Sequence, residues 1–140
     1  MTDMTMDNFL AVLSSSEPVP GGGGACGYVA AVGMSLGNMV LALTTGKKKY
    51  AEYQEEIEEL IVKATDLTKR LAECMDKDAE SFKPLAAAYG LPKDTEEQIK
   101  EREAIMAKAL VTASEAPLSM MELIPVSYTH LRAHETRSNL

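Results

Sequence analysis

The sequence predicts an all-α protein, an antiparallel helical bundle with a buried central helix of small residues. Composition is the first reason: aromatic residues make up only 5% of the 140, tryptophan is absent, and there are nine methionines and many alanines. This composition favours helices that pack through small or flexible side chains. The other reasons are one long segment whose small residues recur every four positions and another with apolar residues at heptad-like spacing.

The first helix is predicted over about residues 6–14. Phe9 and Leu13 fall on one face of this helix, and Thr5 is placed to cap its N-terminus. Residues 14–24 contain two prolines and four glycines, which predict a loop.

A second helix is predicted over about residues 23–45. Small residues repeat every four positions along this helix: Gly23, Gly27, Ala31 and Ser35. This spacing would let the backbone of another helix approach closely. Because no charge occurs from residue 18 to residue 46, a transmembrane span is the alternative. The many glycines, the polar Asn38 and the lack of large aliphatic residues in the first half favour a helix buried inside a helical domain, with no membrane partner.

The third helix is long, and its apolar seam steps alternately by three and four residues. The seam consists of Tyr50, Tyr53, Ile57, Leu60, Ala64, Leu67, Leu71 and Cys74. The same stepping places Asp78 where the pattern calls for an apolar residue. Pro84 should kink or end this helix, because proline lacks an N–H and clashes with the preceding turn, and Gly90 should close the segment.

A fourth helix is predicted to begin near Thr95, with Asp94 or Thr95 as its N-cap and acidic residues in its first turn. Its seam reads Ile99, Arg102, Met106, Ala109 and Ala113. Arg102 therefore interrupts an apolar stripe just as Asp78 does. Pro117 predicts a new start and a short helix over about residues 117–123.

Helical periodicity is lost from about residue 124. Residues 126–140 hold both histidines of the chain and resemble a read-through segment that recurs at the ends of unrelated sequences. We therefore expect a helical domain at 1–125, itself incomplete, followed by a non-native tail at 126–140. The tail is left out of the functional interpretation.

Charge, cysteine and histidine content exclude several classes of protein. A net charge of −7 argues against a general nucleic-acid binder. Cys26 and Cys74 form no CxxC pattern, so we expect both to stay reduced as small packing residues. The acidic N-terminus lacks the bases of a signal peptide, which favours a cytoplasmic location. Without a histidine in residues 1–125, we predict no metal site, no histidine catalysis and no Ser–His–Asp triad.

Two clusters flank the second helix, and each has a functional and a structural interpretation. The first cluster consists of four glycines at the start of the helix: Gly21, Gly22, Gly23 and Gly24. Their exposed N–H groups could bind an anion, and a flexible turn without a ligand is an equal alternative. An anionic substrate could also bind at three cations: Lys47, Lys48 and Lys49. Their place at a helix C-terminus accounts for one of these lysines without a substrate.

Asp78 is the candidate for proton transfer. A carboxylate in a partly apolar seam has its pKa raised toward neutrality, as a general acid or base at neutral pH requires. The alternative is a structural ion pair with Arg102 across two helices, which composition alone favours.

Three stretches together resemble the formimidoyltetrahydrofolate cyclodeaminase and methenyltetrahydrofolate cyclohydrolase family. Residues 20–50, PGGGGACGYVAAVGMSLGNMVLALTTGKKKY, resemble its opening signature of a proline and glycine cluster, a small-residue helix and LTxGKKKY. DKDAESF at 76–82 and LPKDTEEQIKEREAI at 91–105 resemble its second and third motifs. The resemblance covers about Phe9 to Leu123. Members usually continue for further helices and often have serine at the position of Gly24.

The resemblance implies an all-helical domain that dimerises and acts on one-carbon tetrahydrofolates without a metal or redox cofactor. Members either close 5-formimidoyl-tetrahydrofolate to the methenyl form with loss of ammonia or hydrolyse 5,10-methenyl-tetrahydrofolate to the 10-formyl form. On this interpretation Asp78 transfers protons, while Arg102 and the glycine and lysine clusters bind the anionic substrate. The alternative is a non-catalytic helical dimerisation module in which Asp78 and Arg102 fix the register.

The glycine and lysine clusters lie at opposite ends of one predicted helix, about 35 Å apart at a rise of 1.5 Å per residue. One substrate cannot easily touch both clusters within a single subunit. We therefore hypothesise an antiparallel dimer across the small-residue helix, which would bring the glycines of one subunit beside the lysines of the other.

Overall fold

The computed structural model describes residues 3–138, which are almost entirely helical. The elements are α1 (Met6–Leu13), α2 (Gly22–Thr44), a 3₁₀ segment (Lys48–Tyr53), α3 (Gln54–Tyr89) and α4 (Glu96–Ser138). Between residues 3 and 138 there is no strand, so the all-α prediction is confirmed. α3 packs extensively against both α2 and α4, whereas α2 and α4 touch each other only slightly.

Two helix starts carry the caps that the sequence predicts. The Thr5 hydroxyl accepts a hydrogen bond from the Asn8 N–H at 3.3 Å at the start of α1. The Thr95 hydroxyl accepts one from the Gln98 N–H at 3.2 Å, and the Gln98 side-chain oxygen accepts from the Thr95 N–H in return, also at 3.2 Å. These reciprocal bonds satisfy backbone donors that have no partner within the helix.

α2 and α3 form an antiparallel hairpin that meets through one face of each helix. A Cβ built on Gly27 would lie 3.2 Å from the carbonyl oxygen of Leu71, so the two backbones come into close contact there. Further along α2, the Asn38 side chain donates to the Thr65 hydroxyl at 3.1 Å. The core that joins the helices consists of Ala31, Met34, Leu41, Ile57, Ala64, Leu67, Leu71, Cys74, Met120 and Leu123.

The seam predicted on α3 is buried for most of its length, from Ile57 to Cys74. Tyr53 is 44% exposed, because it belongs to the 3₁₀ segment before α3 and not to α3 itself. Burial raises the pKa of the Cys74 thiol, which fits the predicted packing role. Cys26 is exposed on α2, so the expectation that both cysteines are packing residues is wrong for Cys26.

α2 is not the buried central helix that its small residues predict. The small side chains occupy the face that packs on α3, while the opposite face exposes six large apolar side chains: Val29, Val32, Leu36, Met39, Val40 and Leu43. The two faces therefore differ in side-chain size more than in polarity. Among the helices described, α2 alone is long and apolar enough to cross a membrane, judged by length and composition.

Prolines interrupt the helices less than the sequence predicts. α3 continues through Pro84 to Tyr89, where Gly90 follows as predicted. Pro84 and Glu80 are exposed, so water can replace the backbone hydrogen bond that proline removes.

α4 likewise continues through Pro117 and Pro125, so the predicted short helix and the predicted loss of helix from residue 124 are both wrong. Ala116, Met120 and Leu123 are buried on either side of Pro117, and this packing keeps the helix continuous. α4 thus crosses the predicted boundary at residue 125. The non-native origin of 126–140 stays a prediction, and residues 139–140 lie outside the described part.

Candidate active site

Asp78 sits where α3 meets the first turn of α2. A Cβ built on Gly23 would lie 2.6 Å from the carboxyl carbon of Asp78, far closer than any real Cβ contact. The Asp78 carboxyl group therefore occupies the space that a side chain at position 23 would need. The absence of a side chain at Gly23 is what allows the carboxylate to lie against the helix start.

The half-buried Asp78 carboxylate accepts a hydrogen bond from the backbone N–H of Gly24. Burial raises the pKa of Asp78 above its ordinary value of 3.8, and the Gly24 hydrogen bond opposes that rise without cancelling it. A carboxyl group with a raised pKa can both accept and return a proton at mild pH. The predicted placement of Asp78 in a partly apolar seam is thus confirmed, and its role in proton transfer stays a prediction.

The anion at the glycine-rich start of α2 is the protein's own Asp78 carboxylate. The first N–H groups of an α-helix have no partner within the helix and carry the positive end of its dipole. One of them, at Gly24, is used by Asp78. Gly21 precedes the helix in an extended conformation and has no side chain with which to cap it. A Cβ on Gly22 would meet nothing within 4 Å, so this turn is open on one side.

The lysine cluster lies at the other end of α2, as the sequence predicts. α2 ends at Thr44, the chain turns at Gly46 with φ +74°, and Lys47, Lys48 and Lys49 follow, all exposed. The Lys49 ammonium lies 5.3 Å from the centroid of the Tyr50 ring, a cation–π contact. With 23 residues in α2, the glycine and lysine clusters of one chain are separated by about 35 Å.

Arg102 lies half-buried on α4, and its Nε is buried without a hydrogen-bond partner among the described residues. Among the side chains that the structure describes, no ion pair joins Arg102 to Asp78; the ion pairs seen lie between neighbouring turns of α3. The structural ion pair that composition favours is therefore not formed. The Nε of Arg102 thus keeps a donor that no described residue uses.

A groove of about 490 Å³ between α2 and α3 was not predicted from the sequence. Its lining includes Asn38 and Thr65, whose hydrogen bond crosses the helix pair. Thr65 donates its own proton to the Ile61 carbonyl, so Asn38 must donate to Thr65, and the Asn38 Oδ1 is left buried without a partner among the described residues. The groove lies about four turns along α2 from Gly23 and is separate from Asp78. A lone asparagine in an apolar helix was the only sequence signal for it.

Comparison with known proteins matches residues 5–139 to a family model described as formiminotransferase-cyclodeaminase. This match spans nearly the whole chain. The chain belongs to the formiminotransferase-cyclodeaminase family. The motifs that suggested such a resemblance include the residues assembled around Asp78 and Gly23.

Two relatives illustrate how the chain sits within the family. It is 42% identical over 115 residues to a methenyltetrahydrofolate cyclohydrolase of Methylorubrum extorquens, covering 82% of this chain and 55% of the relative. It is 32% identical over 123 residues to a formimidoyltransferase-cyclodeaminase of Dictyostelium discoideum, covering 88% of this chain and 22% of that relative. The chain thus spans about half of the first relative's length and about a fifth of the second's. Both relatives are named as enzymes of folate one-carbon metabolism.

Proposed function

We propose that this chain binds a one-carbon tetrahydrofolate and transfers a proton through Asp78 as the bridge between N5 and N10 opens or closes. The observation that carries the proposal is a half-buried carboxylate with a raised pKa, held against an open, glycine-rich helix start. Hydrolysis of 5,10-methenyl-tetrahydrofolate is the first candidate reaction, since the relative with 42% identity is a methenyltetrahydrofolate cyclohydrolase. Cyclisation of 5-formimidoyl-tetrahydrofolate with loss of ammonia is the second, since the other relatives are cyclodeaminases.

In the hydrolysis, Asp78 acts first as a base and then as an acid. A water molecule adds to the methenyl carbon, and its proton passes to the Asp78 carboxylate, which leaves a neutral tetrahedral carbon between N5 and N10. Asp78 then returns the proton to N5 as the bond between that carbon and N5 breaks. The hydroxyl proton leaves to solvent, and the carbon stays on N10 as a formyl group. Neither these hydrolysis steps nor the cyclisation requires a metal or redox cofactor.

The remaining candidates bind the substrate's negative charge. Folates carry glutamate carboxylates, which suit exposed ammonium groups at Lys47, Lys48 and Lys49. Arg102 has an unpartnered buried nitrogen and can donate to a carbonyl or carboxylate of the ligand. The free first-turn amides of Gly22 and Gly23 would stabilise negative charge beside Asp78. We propose a homodimer in the cytoplasm as the working form.

The test of the mechanism is Asp78→Asn, which keeps the shape of the side chain and an oxygen that accepts from Gly24. We expect turnover of 5,10-methenyl-tetrahydrofolate to fall to background while the far-ultraviolet circular dichroism spectrum is unchanged. Asp66→Asn is the matched control, because Asp66 lies on the same helix but is exposed and paired with Arg70 at 3.8 Å. An Asp78→Asn protein with full turnover would remove Asp78 from the mechanism.

A non-catalytic dimerisation module remains the alternative function, supported by the apolar face that α2 exposes. Titration with a reduced folate, followed by calorimetry, separates the two. An enzyme of this class should bind at micromolar concentrations, whereas a module should show no heat of binding.

A further inference from the structure

The buried face of α3 opens at two neighbouring turns. Met75 is 3% exposed and Leu85 is 4% exposed, but Asp78 and Phe82, which lie between them at the same helical spacing, are only half-buried. α2 covers this face further back along α3, and its first turn meets Asp78 at Gly23. Phe82 lies one turn beyond that helix start, where α2 no longer covers the face.

Phe82 places an aromatic ring at this opening. The aromatic contact seen among the described residues joins Phe9 to Tyr28 and does not involve Phe82. A phenyl ring has no polar group to offer water, so its uncovered surface gains most from a flat apolar or aromatic neighbour. The opening therefore suits a ligand that has a ring close to the group on which Asp78 acts.

The contact at Gly27 shows which residues of α3 and α4 lie at the same level. A Cβ built there would lie 3.2 Å from the Leu71 carbonyl oxygen and 3.4 Å from the Cε of Met120. α3 and α4 pack side by side and run in opposite directions, because only residues 90–95 join them. Leu71 and Met120 are therefore reference points from which positions along both helices can be counted.

Counting from these points gives the order of three side chains along the opening. Asp78 and Phe82 follow Leu71 by seven and eleven residues. Arg102 precedes Met120 by eighteen residues. At about 1.5 Å per residue, Phe82 lies about 6 Å beyond Asp78 and Arg102 about 16 Å beyond it. The order is thus a carboxylate, an aromatic ring and a guanidinium group.

Arg102 belongs to the face of α4 that packs on α3. It precedes the buried Ala109 by seven residues, which is two helical turns. It is half-buried, and its Nε has no hydrogen-bond partner among the described residues. An unused donor on a half-buried guanidinium group suits a carboxylate of a ligand.

We propose that Phe82 stacks on the aminobenzoyl ring of the substrate and that Arg102 binds the carboxylate of its first glutamate. This inference rests on the proposed function, because it states how that substrate lies on the chain. In a folate, the aminobenzoyl ring is attached to N10 and leads to the glutamate, so bridge carbon, ring and carboxylate follow one another in the order of Asp78, Phe82 and Arg102. The pteridine is then left at the start of α2, where a Cβ on Gly22 would meet nothing within 4 Å.

The role of the ring is tested by steady-state kinetics with Phe82→Leu and Phe82→Tyr. Because the aminobenzoyl ring does not react, Phe82→Leu should raise the KM for 5,10-methenyl-tetrahydrofolate about tenfold and change kcat by less than about threefold. Phe82→Tyr keeps the ring and should restore a KM close to that of the wild type. An unchanged KM in Phe82→Leu, or equal impairment in the two variants, would overturn the stacking role.

The orientation is tested with two halves of the substrate as competitive inhibitors. Phe82→Leu and Arg102→Gln should each weaken inhibition by p-aminobenzoyl-glutamate about tenfold and leave inhibition by 6-methyltetrahydropterin unchanged. The opposite pattern would place the pteridine on Phe82. That result, or equal effects on both fragments, including no effect on either, rejects the proposed orientation.

Binding without catalysis gives a further readout, because the chain contains no tryptophan. In Phe82→Trp, 5-formyl-tetrahydrofolate should quench the single tryptophan by stacking on it. Val62→Trp is the control, since Val62 is 69% exposed on the same helix and lies about 30 Å from Phe82. Equal quenching in both proteins, with binding seen by calorimetry, rejects the stacking and leaves the proposed function standing. If the wild type binds no reduced folate at all, the proposed function itself fails.

Discussion

Asp78 links the protonation of the site to the stability of the fold. Folding raises the pKa of this carboxyl group above 3.8, so the folded chain holds the proton to a higher pH than the unfolded chain does. The resulting contribution to the free energy of unfolding is complete below the unfolded pKa and is lost as pH rises through the folded pKa. Other carboxylates also make the free energy of unfolding depend on pH. The contribution of Asp78 is therefore obtained as the difference between the wild type and a variant that lacks this carboxyl group.

We expect Asp78→Asn to remove this contribution, because asparagine does not titrate. Urea unfolding of both proteins between about pH 3 and pH 8 gives the difference in unfolding free energy at each pH. Relative to the variant, the wild type should lose stability as pH rises from the acidic end. A difference that stays constant with pH would mean that burial does not shift the pKa of Asp78.

Gly23 is expected to position Asp78 without contributing much to stability. In Gly23→Ala the new methyl group claims the space of the carboxyl group, which must rotate and give up its bond to Gly24. Rotating one side chain is inexpensive, and alanine favours a helix over glycine, so the unfolding free energy should change by less than about 1 kcal/mol. If Asp78 transfers the proton as proposed, its displacement should nevertheless lower turnover by about 100-fold.

Turnover and unfolding measurements on Gly23→Ala separate these two effects. Gly33→Ala is the control, because a Cβ on Gly33 meets nothing within 4 Å on the same helix. If Gly23→Ala keeps full turnover, the carboxyl group need not lie against the helix start for catalysis.

At the scale of elements, the contact between α2 and α3 depends on Gly27. In Gly27→Ala the new methyl group would lie 3.2 Å from the carbonyl oxygen of Leu71, which belongs to the backbone and cannot rotate away, and 3.4 Å from the side chains of Met75 and Met120. We expect a net destabilisation of about 1–2 kcal/mol, after the higher helix propensity of alanine is taken into account. Chemical denaturation measures it, and Gly33→Ala should be stabilised by up to about 1 kcal/mol in the same experiment. Equal effects of the two substitutions would contradict close backbone packing.

The elements that local chemistry decides could be predicted from the sequence. Thr5 and Thr95 cap their helices as predicted, and the seam from Ile57 to Cys74 is buried on α3. The continuity of α4 through Pro117 could not be predicted, because it depends on tertiary packing around Ala116 and Met120, which outweighs the local cost of proline.

The candidate site, too, could be predicted from the sequence only in part. The position of Asp78 on the buried seam follows from spacing alone. Its contact with Gly23 depends on how far α2 slides along α3, and no single segment encodes that register. The ion pair between Asp78 and Arg102 was a plausible inference from two charges in two apolar stripes, but charges in separate helices pair only if the helices bring them to the same level.

For the whole molecule, large apolar side chains are exposed on α4 as well as on α2. Leu110, Val111, Leu118 and Met121 are exposed there, each by 49% or more. Small residues predicted that α2 would be central, yet they fix only one of its faces. A helix with a small face and a large apolar face needs two partners, and the chain described supplies one.

The charge of the whole molecule bears on how the proposed anionic substrate would bind. A net charge of −7 repels a folate polyglutamate, so attraction must come from local positive charge, of which Lys47, Lys48 and Lys49 are the exposed cluster. All three lysines are exposed, and their attraction should be screened by salt within about 10 Å at 0.1 M. The affinity for a folate pentaglutamate should therefore fall as salt rises, and more steeply than the affinity for the monoglutamate.

Calorimetric titrations at several salt concentrations measure this slope. Replacing the three lysines by glutamine should weaken pentaglutamate binding at low salt and flatten its salt dependence, because the charges that salt screens are gone. Exchanging Lys69 for glutamine is the matched control, since Lys69 is an exposed lysine of α3 already paired with Glu73 at 3.9 Å. If the triple variant keeps the wild-type salt slope, the substrate's carboxylates are held elsewhere, and Arg102 becomes the first residue to examine.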